Sequence, residues 1–310
     1  MKIKIMKPII NLLFSLLLIT STSCQEACIV KVTVTEEDGT PVEGASATVI
    51  FLGYGNDGKK EKTGLTDVQG KFEASGTTSG RMHVRVEKDG YYATNSGRLS
   101  RNEDHDVTYV LRKLMNPVPL YAKKALLNFP VNKKWLGYDF KAADWVAPHG
   151  KGKKTMCLLQ MDVKAASGDE HIQELKIKFP NEADGVIKIP TLKEQSNSDF
   201  TWLYKAPEEN YQPKFSFVRQ RLLNKPILFD SSKFSYAMRV NTQLDEKGSV
   251  LSANYVRISR GHKLFGVLAK QQSFGLTYYY NPTPNDRNLE FDPKKNLFKN
   301  LDSTERVSDP

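Results

Sequence analysis

The sequence predicts an all-β protein made of two antiparallel β-sandwich domains. Three observations support this prediction: short segments that alternate apolar and polar residues, turn sequences about every 8 to 12 residues, and a length of 310 residues, which is enough for two hydrophobic cores. The hydrophobic content of 39% and the aromatic content of 10% are typical of a globular, strand-rich chain.

The first 23 residues differ from the rest of the chain and indicate an export signal. Lys2, Lys4 and Lys7 precede an apolar run at 9–19, and the run is followed by small residues at 21–23. This run is shorter than the ~20 apolar residues that a membrane-spanning helix needs. We therefore expect residues 1–23 to be a signal peptide.

Cys24 follows these small residues directly, an arrangement that resembles the lipobox of bacterial lipoproteins. In that family the cysteine thiol takes a diacylglyceryl group, which implies a membrane partner and anchoring in the cell envelope, at the outer membrane. The family prefers Leu or another aliphatic residue at the position occupied here by Ser21. An ordinary signal peptide cut near Ser23 or Ala27 is the alternative. Residues 24–28 would form the tether.

Residues 29–112 contain the strand and turn signals of a first sandwich. Alternating or β-branched segments predict strands at 29–34, 45–52, 61–66, 71–74, 82–86 and 107–111. Turn sequences rich in Asp and Gly separate several of these strands, since both residue types suit the backbone angles of tight turns.

The turn motifs of this domain are D-G-T-P-V-E-G-A at 38–45, T-D-V-Q-G-K-F at 66–72 and K-D-G-Y at 88–91. Together they resemble the carboxypeptidase regulatory-like family, whose fold is transthyretin-like. The resemblance covers residues 29–112. It implies a seven-stranded Greek-key sandwich, similar to an immunoglobulin domain, that has no catalytic residues of its own and serves as a spacer, a docking piece or an adhesive unit.

A linker at 113–119, with prolines at 117 and 119, leads to a second β-rich domain at 120–302. Its segments at 137–153 and 274–298 resemble those of exported bacterial lipoproteins that carry the same first domain, which implies export but no particular activity. A short helix is expected near 120–127, and the tail at 303–310 is expected to be disordered. Strands are predicted at 156–163, 172–179, 186–189, 200–204, 215–219, 234–240, 253–259 and 275–280.

The net charge of +10 is distributed unevenly along the chain. Residues 24–112 carry 11 basic and 14 acidic residues, whereas residues 113–310 carry 31 and 21. A basic second domain favours anionic partners such as acidic glycans or phosphate-rich lipids. Nucleic acid is not expected as a partner of an exported protein. A solvated basic surface without a ligand is the alternative.

The residue pattern predicts no catalytic site, no metal site and no cofactor. The five histidines stand alone in the sequence and lack the H-x-x-x-H or H-E-x-x-H spacing of zinc sites. The G-x-S-x-G motif of hydrolases is also absent from the sequence. The function predicted is therefore a non-enzymatic binding or interaction module for a glycan, a protein or another surface ligand. An exported glycan hydrolase, acting through two carboxylates of the second domain, is the alternative.

The best candidate for a ligand site is the segment at 144–154. It combines Trp145, His149, Lys151, Lys153 and Lys154 with glycines in a connecting loop, and loops of sandwich domains are frequent ligand sites. An exposed indole ring is also a good stacking surface for a sugar. Two alternatives stay open: Trp145 belongs to the core, and the segment is a simple connection.

Overall fold

The computed structural model describes residues 26–53, 58–94, 97–100, 103–165, 171–190, 197–221, 228–229, 234–259 and 272–310. The predicted signal peptide and Cys24 lie outside these residues. Strands dominate the described chain, which contains no α-helix and has a 3-10 turn at Pro293–Lys295. The prediction of an all-β fold is confirmed.

The first domain consists of seven strands arranged in two sheets. A three-stranded sheet has the order β4-β1-β7, and a four-stranded sheet has the order β3-β2-β5-β6. The strands are β1 (Glu26–Thr35), β2 (Ser46–Leu52), β3 (Lys59–Leu65), β4 (Lys71–Thr78), β5 (Met82–Glu87), β6 (Gly97–Leu99) and β7 (His105–Val110).

The core of this domain lies between the two sheets. Val30, Val32 and Val34 alternate inward along β1 and belong to the same buried cluster as Val49 and Phe51 of β2. This is the arrangement that period-two alternation dictates, because successive side chains of a strand point to opposite faces.

One strand pair departs from the predicted antiparallel pattern. β1 and β7 run parallel, with Val30 opposite His105 and Val34 opposite Tyr109. The chain enters β7 after β6, which belongs to the other sheet. A strand that arrives by such a crossover is free to run parallel, whereas a tight hairpin enforces the antiparallel direction.

The second domain also consists of two sheets. A six-stranded sheet has the order β10-β9-β11-β12-β14-β15, and a five-stranded sheet has the order β13-β16-β17-β18-β8. The strands are β8 (Tyr121–Asn128), β9 (Leu136–Asp139), β10 (Asp144–Trp145), β11 (Cys157–Ala165), β12 (His171–Lys178), β13 (Gly185–Pro190), β14 (Lys214–Arg221), β15 (Leu228–Phe229), β16 (Phe234–Leu244), β17 (Val250–Ser259) and β18 (Ser273–Asn281).

Aromatic side chains fill much of the space between these sheets. The rings of Phe140 and Tyr278 lie 5.1 Å apart between centroids, and those of Phe217 and Tyr236 lie 4.7 Å apart. Both pairs are edge-to-face, a geometry that contributes about 0.5–1.5 kcal/mol beyond the buried area. The interior is therefore a packed core.

The helix predicted near 120–127 is wrong, since β8 occupies this segment. β8 pairs with β18 along its whole length, from Tyr121 opposite Tyr280 to Asn128 opposite Ser273. The segment has apolar residues on both faces, a pattern that suits a helix as well as a strand that is buried on both sides. The segment forms a strand because it pairs with β18 along its whole length.

The central part of the five-stranded sheet is buried on both faces, and this explains why the C-terminal segment is ordered. Tyr255 packs with Leu289 on the outer face, and Tyr279 packs there with Phe291 and Val307. The prediction of a disordered tail at 303–310 is wrong, because Val307 is buried and the Arg257 guanidinium donates a hydrogen bond of 2.8 Å to the carbonyl of Pro310.

The strand predicted at 200–204 does not form, because its carbonyl groups bind an arginine instead of a neighbouring strand. Arg112 Nη1 donates to the carbonyls of Phe200 and Trp202, and Arg112 Nε lies 3.0 Å from a Glu37 carboxylate oxygen. The Phe200 ring also stacks on Tyr92 of the first domain at 4.7 Å. The segment therefore joins the two domains through a buried junction.

Candidate functional site

The candidate segment forms a compact loop at the edge of the six-stranded sheet, which we call the lysine loop (residues 139–154). Asp139 ends β9 and is only 5% exposed. Its Oδ1 accepts hydrogen bonds from the N–H groups of Lys141 and Ala142, and its Oδ2 accepts from those of Lys153 and Lys154, all at 3.0–3.1 Å. One buried carboxylate thus holds both ends of the loop.

Asp144 supports the middle of the lysine loop in the same way. Its two oxygens accept hydrogen bonds of 2.8 Å from the N–H groups of Trp145 and Lys151. Glycine is needed at position 152, because a Cβ atom there would lie 2.9 Å from the Cβ atom of Asp139 and from the carbonyl oxygens of Asp144 and Trp145. Hydrogen bonds and close packing inside the loop therefore fix its backbone.

Trp145 belongs to the core, and its predicted role as a stacking surface is corrected by the structure. The side chain is 7% exposed, and its Nε1 donates a hydrogen bond of 3.0 Å to the carbonyl of Asn128. Its ring lies 4.9 Å from that of Phe129 and 5.4 Å from that of Tyr138. The indole ring is turned inward because β10 pairs with β9 in the register that places Trp145 opposite Tyr138.

The other predicted site residues are on the solvent side of the loop. His149, Lys151, Lys153 and Lys154 are all exposed. Lys141, which was not among the predicted site residues, is exposed on the same loop. Within the part of the chain that the structure describes, these lysines form no ion pair.

The two aspartates of the loop accept hydrogen bonds from backbone N–H groups, and its four lysines outnumber them, so the loop carries a net positive charge. A carboxylate has about four acceptor positions, and Asp139 uses its positions on four N–H groups. The hydrogen bond from the Lys141 N–H group to Asp139 forms an Asx turn, in which an Asp side chain accepts from the N–H group two residues on. The Asp-x-Lys spacing at 139–141 is a local signal that could have included Lys141 in the loop.

Other buried acidic residues of the second domain also bind backbone groups. Asp184 accepts hydrogen bonds from the N–H groups of Asn241 and Thr242, at 3.1 and 2.8 Å, and burial raises its pKa. Glu290 accepts from the N–H groups of Met115 and Asn116. These carboxylates act as structural acceptors.

The two described cysteines lie in separate cores. Cys28 is buried in the first domain and Cys157 in the second. Burial raises the pKa of the Cys157 thiol, so this side chain stays protonated. No disulfide joins these two residues.

The described residues contain no group of three or more His, Cys, Asp or Glu side chains arranged to hold a metal ion. Over the same ranges, no helix combines the length and the apolar character needed to cross a bilayer.

Comparison with known proteins leaves the chain without an assigned family. No family model matches it, and no curated protein does. Solved structures with some similarity include chlorocatechol 1,2-dioxygenase from Pseudomonas putida, which is 13% identical over 28% of this chain and 60% of its own, with a TM-score of 0.24. The chain thus spans about three fifths of that dioxygenase.

Two other structures cover more of the chain. A candidate carbohydrate-binding protein from Bacteroides uniformis is 9% identical over 84% of this chain and 98% of its own, with a TM-score of 0.21. BcpA, the major pilin subunit of Bacillus cereus, is 13% identical over 83% and 96%, with a TM-score of 0.22. Similarity at this level carries no argument about function.

Proposed function

We propose that the protein is an exported, lipid-anchored and non-enzymatic binding module whose lysine loop binds an acidic glycan of the cell envelope. The observation that carries this proposal is the orientation of the charges in the loop. The buried Asp139 and the half-buried Asp144 bind backbone N–H groups, whereas Lys141, Lys151 and the Lys153–Lys154 pair are exposed. Exposed positive charges without counter-ions attract a polyanion.

The rigidity of the loop favours binding as well. Six backbone N–H groups are held by the two aspartates, and Gly152 N–H donates a further hydrogen bond of 2.8 Å to the Trp145 carbonyl. A loop that is already ordered loses little backbone entropy when a ligand binds, so more of the contact energy appears as affinity.

Lipid attachment at Cys24 is the second part of the proposal. β1 begins at Glu26, two residues after Cys24, and an extended chain spans at most ~3.5 Å per residue. Acyl chains on Cys24 would therefore hold the first domain at the membrane surface. The buried junction at Arg112 would then hold the second domain, with its lysine loop, on the first.

Binding of an acidic oligosaccharide tests the proposed ligand class. The exported Cys24→Ala protein is titrated with oligogalacturonate by calorimetry at several salt concentrations. Exchange of Lys151, Lys153 and Lys154 together for Ser should weaken binding roughly tenfold, because each exposed ionic contact contributes about 0.5 kcal/mol. Binding of the unchanged loop should also weaken steeply from 0.1 to 1 M salt, as the Debye length falls from about 10 to 3 Å.

A matched triple variant controls for the loss of charge. Lys60, Lys62 and Lys71 are exposed residues of the first domain, and their joint exchange for Ser removes the same charge at a distance from the loop. Equal losses of affinity for oligogalacturonate in the two triple variants would contradict a site at the lysine loop. If the protein bound vesicles of phosphatidylglycerol but not oligogalacturonate, the ligand would be a lipid surface and not a glycan.

A further inference from the structure

The outer face of the six-stranded sheet carries a second group of residues that suit a ligand. Along β11 and β12 the core-facing positions include Leu159 and Leu175, so the alternate positions face outward. Leu158, Lys178 and Lys214 are paired in one row across β11, β12 and β14. This row lies next to β9, whose Gly137 pairs with Leu158.

Lys178 and Lys214 are neighbouring residues of like charge in this row. They are direct partners on neighbouring antiparallel strands, and like charges in that position destabilise a sheet. Neither forms an ion pair with a described residue. A negatively charged group bound between them would remove the repulsion.

Trp135 lies at the same face, immediately before β9. It is 36% exposed, whereas Trp145 and Trp202 are each 7% exposed. The Lys178 ammonium group lies 4.4 Å from the centroid of the Trp135 ring, within the range of a cation–π contact. The chain therefore presents an aromatic ring in contact with Lys178, the middle residue of the row.

The lysine loop reaches this face through Thr155, the residue that follows Lys154. A Cβ atom at Gly137 would lie 2.5 Å from Thr155 Oγ1 and 3.1 Å from Thr155 Cγ2. Thr155 therefore covers the backbone of β9 two residues from Trp135. The residue that follows the exposed Lys154 thus lies at the same face of β9 as Gly137.

We propose that this face is a second subsite for the same acidic glycan, with a sugar ring stacked on Trp135 and its carboxylate or sulfate group between Lys178 and Lys214. The C–H groups of a pyranose ring meet the negative face of the indole, while the two ammonium groups neutralise the acidic substituent. The subsite rests on the proposed function for its ligand class. Its position on the sheet is independent of the lysine loop.

Tryptophan fluorescence reports on this subsite. In the exported Cys24→Ala protein, acrylamide should quench mainly Trp135, because the other two tryptophans are buried. Oligogalacturonate should protect this emission from quenching, whereas a neutral cello-oligosaccharide of equal length should protect it much less. Trp135→Phe should lose the quenchable signal while it keeps an aromatic ring for stacking.

Affinity measurements with three variants complete the test. Trp135→Ala should weaken binding of oligogalacturonate by roughly tenfold and Trp135→Phe by less, since stacking depends on ring area. Lys214→Gln should weaken binding by roughly threefold and reduce its salt dependence. Lys247→Gln, at an exposed turn between β16 and β17, is the control and should leave affinity unchanged.

The outcomes separate this inference from the proposed function. If oligogalacturonate binds and the triple lysine-loop variant weakens it, but Trp135→Ala binds normally and the quenching does not change, the subsite is wrong and the proposed function stands. If the Trp135 and Lys214 variants weaken binding and the loop variant does not, the ligand lies on the sheet face alone. Absence of any binding would overturn both.

Discussion

Tyr92 and Glu290 are 198 positions apart in the chain, yet the Tyr92 hydroxyl donates a hydrogen bond of 2.8 Å to Glu290 Oε1. Tyr92 belongs to the first domain, and Glu290 lies in the segment that follows β18. The same carboxylate accepts hydrogen bonds from the N–H groups of Met115, at 2.9 Å, and Asn116, at 2.7 Å. A single carboxylate, 1% exposed, thus ties together the first domain, the connecting segment and the C-terminal segment.

Glu290→Gln should lower the free energy of unfolding by about 2–3 kcal/mol. The neutral amide keeps the shape of the side chain, but its NH₂ group faces N–H donors and leaves at least one of them unsatisfied in a buried place. Tyr92→Phe removes one hydrogen bond and should cost about 1 kcal/mol. Urea denaturation followed by circular dichroism measures both changes.

The control for this prediction is Glu305→Gln. Glu305 lies in the same C-terminal segment and forms an ion pair of 2.8 Å with Lys123, but it is 33% exposed. Loss of such a partly exposed pair should cost less than about 1 kcal/mol. Equal losses of unfolding free energy in Glu290→Gln and Glu305→Gln would contradict the importance of the buried junction.

Asp139→Asn should weaken both the fold and ligand binding without removing any lysine. The amide has a single acceptor oxygen for four backbone N–H groups, so the ends of the lysine loop lose their common support. We expect a loss of about 2–3 kcal/mol in stability and weaker binding of oligogalacturonate. Asp245→Asn alters an exposed turn in which Asp245 accepts from Lys247 and Ser249, and it should change neither measurement appreciably.

Trp145→Ala and Trp135→Ala should differ in their effect on stability. Truncation of the buried Trp145 should cost about 3–5 kcal/mol, because the cavity lies between Phe129 and Tyr138. Truncation of the half-exposed Trp135 should cost less than about 1 kcal/mol. Thermal unfolding of the two variants checks this, and similar melting temperatures would show that Trp145 is not a core residue.

Acid should weaken the first domain through Glu36. Lys113 Nζ lies 2.7 Å from Glu36 Oε2, and the Tyr91 hydroxyl donates to Glu36 Oε1 at 2.6 Å. These contacts, chiefly the hydrogen bond from Lys113, hold the pKa of Glu36 below its usual range. A lowered pKa in the folded state stabilises the protein above the unfolded pKa of about 4.3, and the contribution disappears as pH falls through the folded pKa.

The experiment compares the unfolding free energies of Glu36→Gln and the unchanged protein at pH 7 and pH 3. The variant should be less stable at pH 7, and the difference should shrink at pH 3. Glu73→Gln, an exposed position on β4, serves as the control and should show little difference at either pH. If the unfolding free energies of Glu36→Gln and the unchanged protein differed by the same amount at both pH values, the charge of the Glu36 carboxylate would not contribute to stability.

Cys24→Ala should release the protein from the membrane fraction while both domains stay folded. The acyl chains contribute about 0.8 kcal/mol for each buried CH₂ group, so their loss removes the anchor. Fractionation followed by circular dichroism measures both properties. If the variant still required detergent for extraction, lipidation at Cys24 would be ruled out as the anchor.

Much of the first domain could be predicted from the sequence because its signals are local. Alternation along 29–34 places Val30, Val32 and Val34 on one face, and Gly39, Gly70 and Gly90 adopt positive φ in the turns where the sequence predicts them. Such signals depend only on neighbours in the chain. The same is true of the basic character of the second domain.

The sequence alone thus determined the all-β class, the first-domain turns and the basic loop, since these follow from residue type and short-range spacing. Tertiary structure decided which tryptophan is buried, because strand pairing places Trp145 opposite Tyr138 and leaves Trp135 exposed. It also decided that the tail is ordered and that Tyr92 meets Glu290. Contacts between distant segments depend on how whole sheets pack, and no short stretch of sequence specifies that packing.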